Sequence, residues 1–95
     1  MSKKQFQREY NQFNSQEIIG KIEYIRSKHR GVAFKIEEYK NEFIFHPYTN
    51  VINGFHLFYN IAERGDSIIK GSFSDTLILI KNNNVYYYTF EKPNK

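Results

Sequence analysis

The run Gly65-Asp66-Ser67-Ile68-Ile69-Lys70-Gly71-Ser72-Phe73-Ser74-Asp75-Thr76-Leu77-Ile78-Leu79-Ile80 reads as a tight turn, a short buried strand, a second turn and a longer strand. Elements this short, punctuated this closely, belong to a small and strongly curved β-sheet or barrel. The same grammar recurs upstream. From Ile18 the apolar period is two: Ile18, Gly20, Ile22 and Tyr24 alternate with Ile19, Lys21, Glu23 and Ile25. Val32, Phe34 and Ile36 then alternate with Ala33, Lys35 and Glu37, giving a second half-buried strand. Ser27-Lys28-His29-Arg30-Gly31 joins the two as a hairpin whose glycine suits a positive φ. Gly20 inside a strand predicts a bulge or sharp bend, the device that curls a sheet.

A third strand, Glu42 to His46, ends at Pro47, which has no N–H to give a ladder. The last two strands, Thr76 to Lys81 and Val85 to Glu91, turn on Asn82-Asn83-Asn84, since Asn tolerates left-handed backbone. Both faces of Leu77-Ile78-Leu79-Ile80 are apolar, so that strand is expected to be central or covered by a helix. Two segments carry a helical period instead. Phe6, Tyr10 and Phe13 fall on one face of a helix over residues 3–15, which Ser2 can cap. Val51, Phe55, Phe58 and Ala62 share a face of a short helix within 51–63, between the third and fourth strands. The expected fold is α+β and a single domain over 1–95. It comprises an N-terminal helix within 1–17, a β-rich core over 18–92 with a helix near 52–63, and a tail over 93–95. The sheet is expected to be curved, mostly antiparallel and five- or six-stranded, or a partly open small barrel (OB/SH3-like).

Composition narrows the chemistry. The 95 residues hold no cysteine, which excludes disulfides and thiolate zinc sites. His29, His46 and His56 are never paired at i, i+4, so no metal is expected. Gly-x-Ser-x-Gly and glycine-rich phosphate loops are absent, so neither a cofactor nor enzymatic activity is expected. A carboxylate pair drawn from Glu37 or Glu38 with Glu42 is the nearest hydrolytic alternative, and it ranks third among functions. The polar start, Met1 to Glu17, lacks the apolar run of a signal peptide, and no segment reaches membrane-spanning length. A cytoplasmic protein without membrane insertion is the corresponding expectation.

The formal net charge of +4 suits a polyanion, but a second source gives the same lysine content. A chain rich in Ile, Asn, Lys, Tyr and Phe, with only Ala33 and Ala62 for alanine, has the bias of an A/T-rich genome. Two surfaces emerge as binding candidates. One is the basic hairpin Arg26, Lys28, His29 and Arg30, with Lys21 and Lys35 on the flanking strands. The other is the row Tyr86, Tyr87 and Tyr88, of which one face is core and the other is exposed or lies under a helix. The leading expectation is a small non-catalytic binding module, adaptor or inhibitor-like, acting through protein–protein contacts. The alternative is a single-stranded nucleic-acid binder that uses the basic hairpin on phosphates and tyrosines for stacking. Against both stands the plain reading of a solvated, aggregation-resistant hairpin tip. Oligomeric state is not legible in the sequence.

Gly65-Asp66-Ser67-Ile68-Ile69-Lys70 followed by Ser74-Asp75-Thr76 also resembles a signature, GDSIxK…SDT before a terminal hairpin, of small uncharacterised bacterial β-rich proteins. The likeness covers the last third of the chain, and the Gly31-Val32-Ala33-Phe34 strand more loosely. It implies a β-rich fold and no catalytic residues, since that group has no assigned activity. Turn chemistry accounts for the signature's polar residues, because Asp66, Ser67, Ser74, Asp75 and Thr76 can each hydrogen-bond nearby backbone.

Overall fold

A computed structural model describes residues 2–29 and 31–94. Helix α1 (Lys3–Asn14) starts where the Ser2 hydroxyl accepts the Gln5 amide. The strands follow as β1 (Ile18–Lys28), β2 (Gly31–Ile36), β3 (Phe43–Phe45), β4 (Ser67–Lys70), β5 (Thr76–Lys81) and β6 (Asn84–Thr89). They form one antiparallel six-stranded sheet in the order β3-β2-β1-β4-β5-β6. Strand β1 serves two partners: Ile18 to Lys21 pair with β4, and Ile22 to Lys28 pair with β2. The register slips between Ile22 and Tyr24, leaving Glu23 as an extra residue at the bend. Gly20 serves this bend by allowing close approach, since a Cβ there would sit 2.6 Å from the Ile36 Cγ2 atom.

The sheet curls without closing. Its two edges meet at one corner, where Pro47 bridges Phe90. There Tyr48 N donates to Thr89 O and Glu91 N donates to His46 O, each at 2.9 Å. Helix α1 packs on β3 and drives Phe13 into the core. The Phe13 ring stacks on Phe45 at 4.8 Å and meets Phe90 edge-on at 4.9 Å. One aromatic side chain therefore touches both edges of the open barrel. Most of the remaining core comes from the inward alternation, including Ile18, Ile22, Phe34, Ile36, Ile68, Leu77, Leu79 and Tyr88, and the connection between β3 and β4 adds Phe58 and Ala62.

One inward position of that alternation is a lysine. Lys70 shares its face with Ile68 and is 1% exposed. Its ammonium donates to Asn14 O (2.8 Å), Gln16 O (2.7 Å) and Gly71 O (2.8 Å) and lies 5.1 Å from the Phe13 ring centre. A cation is thus set at the C-terminus of α1, where carbonyls lack intrahelical partners and the dipole favours positive charge. Burial pushes its pKa from 10.5 down to about 8, while the three carbonyls favour the charged form. Lys70 joins α1 to the sheet.

Two expectations change in detail. Gly31 does not take the positive φ of the β1–β2 hairpin; His29 does, at 54°. Gly31 is needed for a different reason, because a Cβ there would lie 2.7 Å from Phe45 O. The segment between β3 and β4 is not one helix but a 3-10 turn (Val51–Asn53) and a single helical turn, α2 (Phe58–Ile61). Gly54 and Phe55 both adopt left-handed backbone, at φ 65° and 60°, and break the helical period between them. Phe58 and Ala62 are buried as expected of a core face, whereas Val51 and Phe55 point to solvent.

Candidate functional site

Among the described residues of the basic hairpin and its flanking strands, Arg26, Lys28 and Lys35 each face a carboxylate. Arg26 grips Glu42 with two donors, Nε to Oε2 at 2.8 Å and Nη2 to Oε1 at 2.7 Å. Tyr24 donates its hydroxyl to the same carboxylate at 2.9 Å. The Arg26 hydrogen bond holds the Glu42 carboxyl below its usual range, with Tyr24 adding to the effect against opposing burial. Lys35 reaches Glu23 at 3.3 Å, and Lys28 lies 3.6 Å from Glu9 on α1. Lys21 is exposed on the other half of β1, beyond the bend from Arg26. Arg30 lies outside the described residues. A phosphate approaching Arg26 would have to displace a bidentate carboxylate.

The tyrosine row divides between two faces. Tyr88 is fully buried and donates to His56 O at 2.7 Å, so its place among surface contact residues is corrected: it belongs to the core. Burial pushes the Tyr88 hydroxyl up to about 12. Tyr86 is half-buried, with its ring 5.5 Å from that of His56. Tyr87 alone faces out, 45% exposed. Two strands, β4 and β5, separate β6 from β1 in the sheet, so these tyrosines and the basic hairpin do not form one stacking platform. Tyr24 is the tyrosine that accompanies Arg26.

Tyr87 instead belongs to an apolar row that crosses four strands. Register pairs Ile19 with Ile69, Ile69 with Ile78, and Ile78 with Tyr87, all on the outer face. The outer face of β5 is therefore apolar because strands flank it on both sides, and α1 packs on β3 instead. The 3-10 turn packs along the free edge of β6 beside Tyr87. Asn53, almost fully buried, fastens it there by donating Nδ2 to Tyr48 O (3.1 Å) and Tyr87 O (3.2 Å). Its Oδ1 accepts from Asn50 N, and Asn50 Oδ1 accepts from Ile52 N, both at 3.1 Å.

This connection is a built object. Every amide from Ile52 to His56 donates within the loop: Ile52 to the Asn50 side chain, Asn53 and Phe55 to Asn50 O, Gly54 to Val51 O and His56 to Asn53 O. With its backbone so committed, the loop holds out apolar side chains. Val51 is 74% exposed and Phe55 70%, with Ile52 and Leu57 each about half exposed. Phe55 does so in a left-handed conformation that is a strained outlier for a bulky residue. Helical periodicity hid these residues by assigning Val51 and Phe55 to a core face. The signal available in the sequence was Asn50-Val51-Ile52-Asn53-Gly54, a turn flanked by capping residues.

Beside the loop runs a groove of about 270 Å³, between the β1–β2 hairpin tip and α2. Val32, Pro47, Leu57 and Tyr59 give it apolar walls, and His29 and Asn60 add polar groups. No helix among the described residues is long and apolar enough to cross a membrane. No family model, curated protein or solved structure matches this chain.

Proposed function

We propose that this protein is a non-catalytic module that binds another protein through the Val51–Leu57 connection, with Tyr87 alongside. The observation that supports this reading is the pairing of a fully hydrogen-bonded loop with outward-facing Val51, Ile52, Phe55 and Leu57. A mobile loop can carry apolar residues by accident, but a strained and fastened one that does so resembles a preformed contact surface. Burying one such side chain against a partner contributes about 1.5–3 kcal/mol. Preorganisation spares the ordering entropy that would otherwise offset that gain. The free edge of β6 is partly occupied by Asn53 and Tyr48, which favours recognition by side chains over strand addition. Arg26, Lys28 and Lys35 already face carboxylates, which weakens the case for phosphate binding.

A photo-crosslinking amino acid at position 55, compared with one at position 38, tests the proposal in cells that make the protein naturally. A discrete protein adduct is expected at position 55 alone, lost when Val51→Asp is added. The reading fails if position 55 gives no adduct. It gives way to nucleic-acid binding if labelled single-stranded DNA binds at physiological salt and Arg26→Glu abolishes that binding.

A further inference from the structure

His46 follows β3 at the corner where the two sheet edges meet, and its carbonyl accepts the Glu91 amide there. The residue is 9% exposed, and its Nε2 atom is buried with no hydrogen-bond partner among the described residues. Phe6 of α1 sits edge-on to this imidazole, with the ring centres 4.9 Å apart. We propose that His46 is a proton-sensitive latch for the first half of α1, which stays docked on the corner while the imidazole is neutral and leaves it when the imidazole takes up a proton.

A neutral imidazole carries one N–H, whereas the imidazolium makes both nitrogens donors in need of acceptors. Nε2 has none in the docked state, so the proton would bring a buried charge without a partner. Among the described residues, the charged groups facing the ring are Glu9 on α1, Glu91 after β6 and His29 at the hairpin tip. The two carboxylates favour the proton and His29 opposes it, but burial is the largest influence and holds the His46 pKa below the ordinary 6.5. Glu9 does not close the gap. Its Oε2 faces Gln5 at 3.3 Å and Lys28 at 3.6 Å, and its Oε1 is buried without a partner. The docked state therefore binds this proton more weakly than an opened one, and proton uptake favours opening.

The first half of α1 is the part that can yield. The far end of the helix is fastened by buried Phe13, by the Lys70 ammonium on Asn14 O and by the Asn14 side chain on Ser74 O. Nearer the start, Phe6, Glu9 and Tyr10 are each only partly buried. The first turn holds Lys3 and Lys4 and no acidic residue, the wrong sign for the helix dipole. Local opening of such an end costs less than opening the sheet.

Amide hydrogen exchange of the full chain at about pH 7.5 and about pH 5 tests this, with protection in β5 as the internal reference. Protection of residues 6–10 should fall several-fold relative to β5 at the lower pH, with about tenfold per pH unit as the limit for one proton. His46→Phe keeps a ring beneath Phe6 and cannot titrate, so its ratio of α1 to β5 protection should stay constant between the two pH values. A wild-type ratio that does not move would overturn the proposal. An equal fall in His46→Phe would overturn it as well and assign the effect to Glu9 or His29. So would loss of protection in α1 and β5 together, since the sheet would then open with the helix. Should His46→Phe misfold, ¹H–¹⁵N NMR of the wild-type imidazole decides. Its titration and the α1 amide shifts are expected to share one midpoint below 6.5, and separate midpoints would sink the latch.

Discussion

Replacing Lys70 with Met isolates what a buried cation does for this fold. Met keeps most of the hydrocarbon length and removes the ammonium. The fall of the Lys70 pKa from 10.5 to about 8 is the net cost of burying the charge, with the three carbonyls already included. What Met forfeits is the donor those carbonyls share, worth about 1–3 kcal/mol where one is left without a partner, so Lys70→Met should lose about 2 kcal/mol near neutral pH. Asn14 O would keep the Phe73 amide and Gly71 O the Ser74 amide, so Gln16 O is the carbonyl left bare. For a domain this size the loss should lower the melting temperature by about 10 °C. Urea denaturation followed by circular dichroism reads the difference. The pH dependence supplies a second signature. The folded chain releases the Lys70 proton near pH 8 and the unfolded chain near 10.5, so the unfolded state holds more protons in between. Wild-type stability should therefore climb across that window, and Lys70→Met should lose this component of the climb. A Met variant as stable as wild type at neutral pH would refute the reasoning.

Tyr88→Phe should lose about 1 kcal/mol by leaving His56 O without its donor. Because the folded hydroxyl ionises near 12 rather than 10.0, wild-type stability should also fall as pH rises through that range, less so in the variant. Asn53→Ala strips both the amide donor and the acceptor that fasten the loop, and should lose about 2–3 kcal/mol in urea while deprotecting the amides of residues 52–56 to hydrogen exchange. Phe73→Gly removes a side chain that is 73% exposed on backbone at φ 60°, and calorimetry should show no loss and a gain of up to about 1 kcal/mol.

Much of the sheet was legible because its signals are local. Period-two alternation marked β1 and β2 and Asn82 supplied the left-handed turn before β6, whereas the bulge falls at Glu23, three residues beyond Gly20. Within Gly65 to Thr76, Asp66 and Ser74 behave as turn chemistry requires: Asp66 Oδ2 accepts from Glu63 N, and Ser74 Oγ from Thr76 N. Lys70 was less visible, although its inward place after Ile68 was readable in the alternation. What made that place tolerable was the end of α1, a contact across more than fifty residues. The binding surface was harder still. Charge counting drew attention to Arg26, but whether a cation is free depends on Glu42 in another part of the chain. Val51 and Phe55 fit a helical face equally well until the left-handed pair Gly54 and Phe55 is known. Long-range pairing and local backbone sign are the terms that residue order leaves open.

The central claim is that the Val51–Leu57 loop is a preformed apolar surface and not a slack connection. Backbone ¹⁵N relaxation of the free protein tests it most directly. Order parameters for Ile52 to His56 are expected to match the strands, about 0.85, in keeping with their complete hydrogen bonding. Values below about 0.6 across the same residues would contradict it, for the exposed side chains would then belong to a mobile loop with no fixed shape to offer a partner.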